Sequence, residues 1–308
     1  MKRALKSLIE GLTGAALLGL VLGFFQRLHP VFDSFSHFRI HFAIIAGIGC
    51  LLLTMYMVRR WPLVVVAIAL FGLAQSLRFE SLAVNANSAF SVAQYNLNYD
   101  NARYEDYMAG IRAINADVVL LQEDNPGHRA AIREGLSELY PHQDWCNAHD
   151  SARKGGVGIL SRVPLRDGTC TSNSLLMWRK ITLAGTDGAP VEMSVASIHL
   201  YWPWPYDQHA QIDELGPLIA DIAGPLVIGG DFNATPWSDS VRRLREAGGL
   251  ARLPGAPMTM RAGNLVPAPI DHQLHSSELC PVARWVGASS FGSDHFPVVV
   301  EYQFGRCE

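Results

Sequence analysis

Ahead of Arg78 the chain runs through three apolar stretches that are almost free of charge, Leu8–Phe25, Ile40–Val58 and Trp61–Leu77. Each is close to the roughly 17–25 residues that a helix needs to cross a bilayer. Three such runs in succession are hard to bury in a soluble core, so they divide the chain before any other feature is considered. Only Arg59, Arg60 and the Trp61-Pro62 pair separate the second run from the third, which suits a tight helical hairpin with a basic turn on the cytoplasmic side. Lys2, Arg3 and Lys6 place the N-terminus on that side too. Three crossings then deliver residue 78 onward to the periplasmic face of a bacterial-type inner membrane, although Arg27 and Arg39 in the first outer loop run against the rule. A cleaved signal peptide is the competing reading of the first run, but Phe24-Phe25-Gln26-Arg27 offers no small-residue cleavage site.

The expected organisation is a membrane anchor with three transmembrane helices over 1–77, a small polar linker over 78–88 and one folded domain over 89–308. Charge divides the same way. Residues 1–77 hold seven Lys/Arg against Glu10 and Asp33, which leaves 18 bases and 26 acids beyond them, a formal −8. An acidic domain without a basic stripe lacks the footprint of a tight duplex-DNA binder, so nucleic acid remains a possible but unfavoured partner. A phosphate group attacked by such a domain calls for a bound cation. Four cysteines fall in the domain, Cys146, Cys170, Cys280 and Cys307, and Cys50 lies in the second apolar run. An even number in an oxidising compartment allows two disulfides. Chain order favours Cys146–Cys170 and Cys280–Cys307, with four separate thiols as the alternative, and the spacing matches no zinc site.

From Ala89 onward, short β-rich runs alternate with amphipathic helical patterns. Strands are expected at Phe90–Tyr95, Val118–Leu121, Val157–Leu160, Met193–His199, Leu226–Ile228 and Phe296–Tyr302. Helices are expected at Tyr104–Ile114, Arg129–Leu139, Gln208–Ile222 and Ser238–Ala247. Such a mixture predicts two packed sheets covered by helices rather than a strictly parallel wound sheet.

Polar residues cluster where these strands end, the place where a scaffold presents its chemistry. There are five clusters: Gln94-Tyr95-Asn96-Leu97-Asn98; Leu120-Leu121-Gln122-Glu123-Asp124; Ser197-Ile198-His199-Leu200; Gly229-Gly230-Asp231-Phe232-Asn233; and Ser293-Asp294-His295-Phe296-Pro297, the last preceded by Ile270-Asp271-His272. Hydrolysis of a phosphoester needs a hard cation with oxygen ligands, an activated water, donors for the phosphoryl oxygens and a proton for the leaving group. The Asn96 amide and the Glu123 carboxylate suit Mg²⁺ (or Mn²⁺), which takes few protein ligands. Asp124 would point the other way on an extended segment and is left out. Asp231 and Asn233, two residues apart, would share one face of an extended strand. His272, His275, His128 and His149 read as surface or packing residues. The run Tyr201-Trp202-Pro203-Trp204-Pro205-Tyr206 offers aromatics to a base, a sugar or the bilayer interface, or packs as a rigid loop, and Arg153-Lys154 either steers a phosphate or is solvated.

In their order, over about residues 89–304, these motifs resemble the endonuclease/exonuclease/phosphatase family. The resemblance implies an α/β fold, a four-layered α/β sandwich of the DNase I-like kind with its site at one edge of two packed sheets. It also implies a divalent metal at Glu123 with Asn96 beside it. Asp231 would orient or deprotonate the attacking water and Asn233 would donate to a phosphoryl oxygen. His295 would bind the scissile phosphate or act as base, and Asp294 would orient a histidine or complete the metal site. His199 would be the second histidine, with Asp271 a candidate to polarise it; which histidine is acid and which is base stays open. The expected function is metal-dependent hydrolysis of a phosphoester, a phosphodiester above all, in nucleic acid, a lipid headgroup or a small molecule. The alternative is a membrane receptor or scaffold that keeps the fold without catalysis.

Overall fold

The computed structural model describes residues 2–56, 66, 70, 88–146, 155–173, 175–185, 187–262 and 266–307. All of the third apolar run except Val66 and Leu70, the basic turn before it, nearly all of the linker, His149 and the Arg153-Lys154 pair lie outside the described residues.

Fourteen strands are described: β1 (Phe90–Asn96), β2 (Val118–Asp124), β3 (His142–Cys146), β4 (Gly156–Ser161), β5 (Arg166–Cys170), β6 (Leu176–Ala184), β7 (Pro190–His199), β8 (Leu226–Asp231), β9 (Ala251–Arg252), β10 (Met260–Ala262), β11 (Val266–Ala268), β12 (Asp271–His275), β13 (Leu279–Val286) and β14 (Val298–Phe304). They form two six-stranded sheets, ordered β13-β14-β1-β2-β4-β3 and β5-β6-β7-β8-β12-β9, and a hairpin, β10-β11. The sheets are built alike. One has parallel β1 and β2 flanked by antiparallel β14 and β4; the other has parallel β7 and β8 flanked by antiparallel β12 and β6.

Period-2 alternation sorts the side chains into layers. Val92, Leu120, Val157 and Val300 from one sheet meet Met177, Met193, Val195 and Val227 from the other in a core between the sheets. The opposite faces are covered by four helices: α4 (Tyr104–Ile114) and α5 (Pro126–Leu136) on the first sheet, α6 (Gln208–Ala220) and α7 (Asp239–Gly248) on the second. This is the expected four-layered sandwich. Polar side chains also cross between the sheets: Gln122 Nε2 donates to Ser197 Oγ (2.9 Å), Ser197 Oγ to the Leu121 carbonyl (2.8 Å) and Gln273 Nε2 to the Val92 carbonyl (2.9 Å). At Gly229 a Cβ would come within 2.8 Å of Leu120 Cδ1, so bare backbone is what lets the sheets close there. Both expected disulfides form, Cys146–Cys170 and Cys280–Cys307, with Cα atoms 5.5 and 5.0 Å apart.

Ahead of the sandwich lie α1 (Lys2–Leu22), α2 (Pro30–His37) and α3 (Arg39–Tyr56). Small residues bring α1 and α3 together: a Cβ at Gly19 would meet the Phe42 ring, and one at Gly49 would meet Thr13. Leu5, Leu8, Leu12, Leu18, Ile44, Ile48 and Leu51 are exposed on their outer faces. Among the described residues one helix, Arg3–Phe25, is by itself long and apolar enough to cross a membrane, with mean hydropathy 1.9. The second apolar run differs from the single expected crossing: α2 and α3 pass the same test only together, and they meet at a bend of 61°. Three independent crossings are therefore not what the described residues display.

Candidate active site

The two parallel pairs run toward one edge of the sandwich, where β12 and β14 begin, and every candidate residue sits there. On β1, alternation puts Val92, Gln94 and Asn96 on the inner face, so the strand's last residue points between the sheets. Asn96 Nδ2 donates to Glu123 Oε1 and to Asp231 Oδ2, each at 3.0 Å, and Asn96 Oδ1 accepts from the Asn98 N–H at 2.8 Å. Its amide thus ties two carboxylates together, whereas the sequence reading had its oxygen facing a cation.

Glu123 is turned inward by backbone rather than by alternation. The pairing of β2 with β4 slips between Gln122 and Asp124, and Glu123 takes φ 55°, a left-handed conformation that costs free energy in a residue with a side chain. Its Oε2 accepts from the Tyr99 N–H at 3.0 Å, and its side chain remains 24% exposed. Asp124 points away and meets Arg129 Nε at 2.7 Å, buried under α5, which agrees with leaving it out of the site.

The register of β7 sets His199 beside Asp231, with Nε2 3.6 Å from Glu123 Oε1 and 3.7 Å from Asp231 Oδ2. Asn233 reaches the same place, but not along an extended strand: β8 ends at Asp231, and the Asn233 N–H folds back onto Asp231 Oδ1 (2.8 Å) with φ 44°. Its Nδ2 donates to the Leu200 carbonyl at 2.8 Å and lies 3.4 Å from both His199 Nε2 and Asp231 Oδ2. Asp271 departs from the sequence reading as well. It pairs in register with Asp231 and grips His295 Nδ1 with both oxygens, at 2.9 and 3.1 Å, rather than polarising His199. The other nitrogen of His295 is 3.7 Å from Asp231 Oδ2. Asp294 turns outward to accept from Asn98 Nδ2 at 2.9 Å, so the acid adjacent in sequence is not the partner of His295.

Crowding sets the charges. Burial, reinforced by Asp271 and Glu123, pushes the Asp231 carboxyl up to about 7 even though His295 pulls the other way. Burial opposes charge on His295, but Asp271 and Asp231 overcome it and hold its pKa up to about 10. Burial tends to raise Glu123, yet His199 and the Asn96 amide bring its pKa below the usual carboxylate range. At neutral pH this gives a buried imidazolium gripped by Asp271 and, on its other side, Asp231 poised near its titration point.

Among the described residues, two groups could hold a cation, Glu123 with His199 and Asp231, and Asp231 with Asp271 and His295; one ligand atom from each residue lies within 4.8 Å of the others in its group. Three carboxylates converging on buried space, with Glu123 accessible, fit a hard divalent ion with oxygen ligands.

Of the other histidines, His272 bonds the Ala234 carbonyl and is pushed down to about 4 by burial, while His128 and His275 also bond backbone carbonyls, in keeping with packing roles. Trp202 packs on His37 and Phe38, whereas Trp204 and Tyr206 of the same loop are half exposed. Sequence reasoning put Ser293 in the fifth cluster without giving it a role; its hydroxyl donates to the Asn96 carbonyl and accepts from the His295 N–H. It missed Thr259, whose hydroxyl accepts from the Asp271 N–H at 3.2 Å. It also missed His37, whose Nε2 lies 3.1 Å from the Asn233 carbonyl oxygen. The only local sign of that last contact is the polar island Asp33-Ser34-Phe35-Ser36-His37 between two apolar runs.

The model of the Endonuclease/Exonuclease/phosphatase family matches residues 93–295. Solved structures similar to the chain include an endonuclease/exonuclease/phosphatase from Bacteroides vulgatus, at 18% identity and TM-score 0.57, covering 70% of this chain and 98% of that one. ANGEL2, a 2',3'-cyclic phosphatase bound to adenosine-2',3'-vanadate, is similar at 18% identity and TM-score 0.55, covering 70% and 95%. An endonuclease/exonuclease/phosphatase from Beutenbergia cavernae gives 20% identity and TM-score 0.54, covering 71% and 72%. At these identities the likeness speaks for the fold. No curated protein matches the chain.

Proposed function

The chain belongs to the endonuclease/exonuclease/phosphatase family, an enzyme family acting on phosphoesters, and on that premise we propose that it is a divalent-metal-dependent hydrolase, of phosphodiesters above all, held at the periplasmic face of an inner membrane. One observation carries the reading: Glu123, His199, Asp231, Asn233, Asp271 and His295, drawn from both sheets, converge within hydrogen-bond or ion-pair distance at one edge.

Each group has a task that its surroundings suit. Asp231, near its titration point at neutral pH, takes the proton of the attacking water. His295, kept protonated by Asp271, places positive charge where a phosphoryl oxygen gains negative charge. Asn233 Nδ2, fixed by the Leu200 carbonyl and Asp231, donates to a second oxygen. His199, between Glu123 and Asp231, hands a proton to the leaving oxygen. Glu123, with Asp231 within reach across the Asn96 amide, would hold Mg²⁺ or Mn²⁺. When bound, the ion neutralises charge on the phosphoryl group.

The exposed apolar faces of α1 and α3 support membrane anchoring, and the periplasmic placement further requires a crossing by the third apolar run, which is proposed from its sequence alone. Two disulfides in the domain suit an oxidising compartment. A reporter fused after Glu308 is expected to behave as periplasmic, and cytoplasmic reporter activity would overturn that orientation. The chemistry is tested on the full chain in detergent with single-stranded DNA, a choline phospholipid and a chromogenic phosphodiester, each with Mg²⁺ and with chelator. Metal-dependent cleavage of one of them is expected. Cleavage of none by the folded protein would favour the non-catalytic receptor or scaffold.

A further inference from the structure

The segment between α1 and α3 is not a free loop. Its helix α2 lies against the chain that leaves β8, and it does so through specific bonds. Trp237 Nε1 donates to the Ser36 carbonyl and Gln26 Nε2 to the Trp237 carbonyl, both at 2.7 Å. The Asp33 carboxylate, fully buried, accepts from the Asp239 N–H (2.9 Å), the Ser240 N–H (3.0 Å), Ser240 Oγ (2.8 Å) and Ser36 Oγ (3.0 Å). Trp202, three residues beyond His199, packs its ring 4.7 Å from that of His37. Arg39 Nε donates to the Gly23 carbonyl at 3.2 Å, which ties the start of α3 to the end of α1.

His37 is where this contact reaches the chemistry. Its ring nitrogens face two carbonyl oxygens, Nδ1 that of Asp33 at 2.6 Å and Nε2 that of Asn233 at 3.1 Å; burial lowers the ring's pKa, a neutral ring carries one N–H, and the tautomer protonated on Nε2 is the one that donates to Asn233. Asn233 is held at φ 44°, a left-handed conformation that asparagine tolerates better than other residues with a side chain but that its surroundings still have to fix. Asp231 fixes its N–H and the Leu200 carbonyl fixes its side chain. The peptide that follows is held by His37 alone among the contacts described for that carbonyl. If that peptide is released, the turn is held only from its Asp231 and Leu200 side, and the freedom gained at its far end loosens the placement of Nδ2 against Asp231 and His199.

We propose that His37 is a positioning residue of the catalytic turn, so that the membrane-proximal helix is a working part of the site and not only a tether. The inference rests on the hydrolase reading above. It acts on orientation: a displacement on the order of 1 Å in a group that meets the transition state costs about 100-fold in rate.

The test compares the full wild-type chain in detergent with His37→Phe, which keeps a ring against Trp202 but no donor, and with His37→Gln, which restores an N–H donor. Hydrolysis of a chromogenic phosphodiester with Mg²⁺ is followed together with thermal unfolding. His37→Phe is expected to lose about 10- to 100-fold in kcat, with KM changed less than about twofold and the unfolding midpoint near wild type, and His37→Gln to recover most of the loss. Wild-type kcat in His37→Phe, or equal losses of rate and midpoint in both variants, would overturn the proposal. Should His37→Phe not fold, His37→Asn, too short to reach the Asn233 oxygen, takes its place under the same criteria. Absence of activity in the wild-type chain would refute the hydrolase reading instead. Amide hydrogen exchange over residues 231–237 then decides the inference: faster exchange in the variant is expected, and unchanged exchange would overturn it.

Discussion

Replacing Asp33 by Asn keeps the shape of the side chain and removes its charge, and the structure gives the cost. Oδ1 accepts from the Asp239 N–H and Ser36 Oγ; Oδ2 accepts from the Ser240 N–H and Ser240 Oγ, with His209 Nε2 at 3.4 Å. Whichever way the new amide is turned, its NH₂ group faces one of those two backbone N–H groups, donor against donor. One buried N–H loses its acceptor, worth about 1–3 kcal/mol. These N–H groups open α7, where Ser238 already caps through the Val241 N–H, so a negative charge facing that end is lost as well, worth about 0.3–2 kcal/mol. Together the change should cost about 2–4 kcal/mol, or about 5–10 °C in the unfolding midpoint of the full chain. Differential scanning fluorimetry in detergent measures the shift, and exchange at the Asp239 and Ser240 amides locates it. Asp213→Asn, at a side chain 68% exposed and paired with Arg243, is the control and should leave the midpoint unchanged. A midpoint within about 1 °C of wild type, with unaltered exchange at those amides, would refute the reasoning.

Asp231→Asn should preserve the fold and lower kcat by about 10²–10⁴-fold, since it removes the group that takes a proton in the transition state; near-wild-type turnover would remove Asp231 from that role. In chelator, stability should fall as pH climbs from about 6.5 to about 10. His295 has its pKa raised in the folded state, so its contribution is complete below 6.5 and gone above 10, and Asp271→Asn should flatten that stretch of the melting-temperature profile. The paired change Cys280→Ser and Cys307→Ser opens a loop spanning 27 residues and should cost about 3–4 kcal/mol on the chain-entropy account, read from urea unfolding; no change in midpoint would leave that bridge without a stabilising role.

The layers and the edge that gathers the candidate residues were legible because strand composition and motif order are local. Asn96, His199 and Asp231 each end a short β-rich, buried run that passes directly into polar residues, and α4 was placed residue for residue by its spacing. What stayed hidden depends on backbone irregularity or on distance along the chain. Nothing in Gln122-Glu123-Asp124 announces the slip in pairing that turns Glu123 inward, and an Asx turn rather than strand geometry brings Asn233 to Asp231. Asp271 was assigned to the wrong histidine because its partner is fixed by the β8–β12 register, which no local pattern encodes. β5 was missed because its residues are exposed and lack alternation, and β12 because Asp-His-Gln-Leu-His reads as polar although it lies in the interior. The hold of α2 on the domain links Asp33 to residues more than 200 positions away, beyond the reach of periodicity or spacing.

The polar bonds that cross the sandwich bear on how it answers to its ligand. Glu123 and Asn96 come from one sheet, His199, Asp231 and Asp271 from the other, and Gln122, Ser197 and Gln273 pin the two together just beneath them. The gap between the two sets of side chains therefore depends on how the bonds beneath them hold one sheet against the other. Anything that engages both sets opposes sliding of the sheets, so an occupant should act as a cross-link between the halves of the molecule. Resistance to shear, felt as far away as the edge strands, becomes a readout of occupancy that requires no turnover.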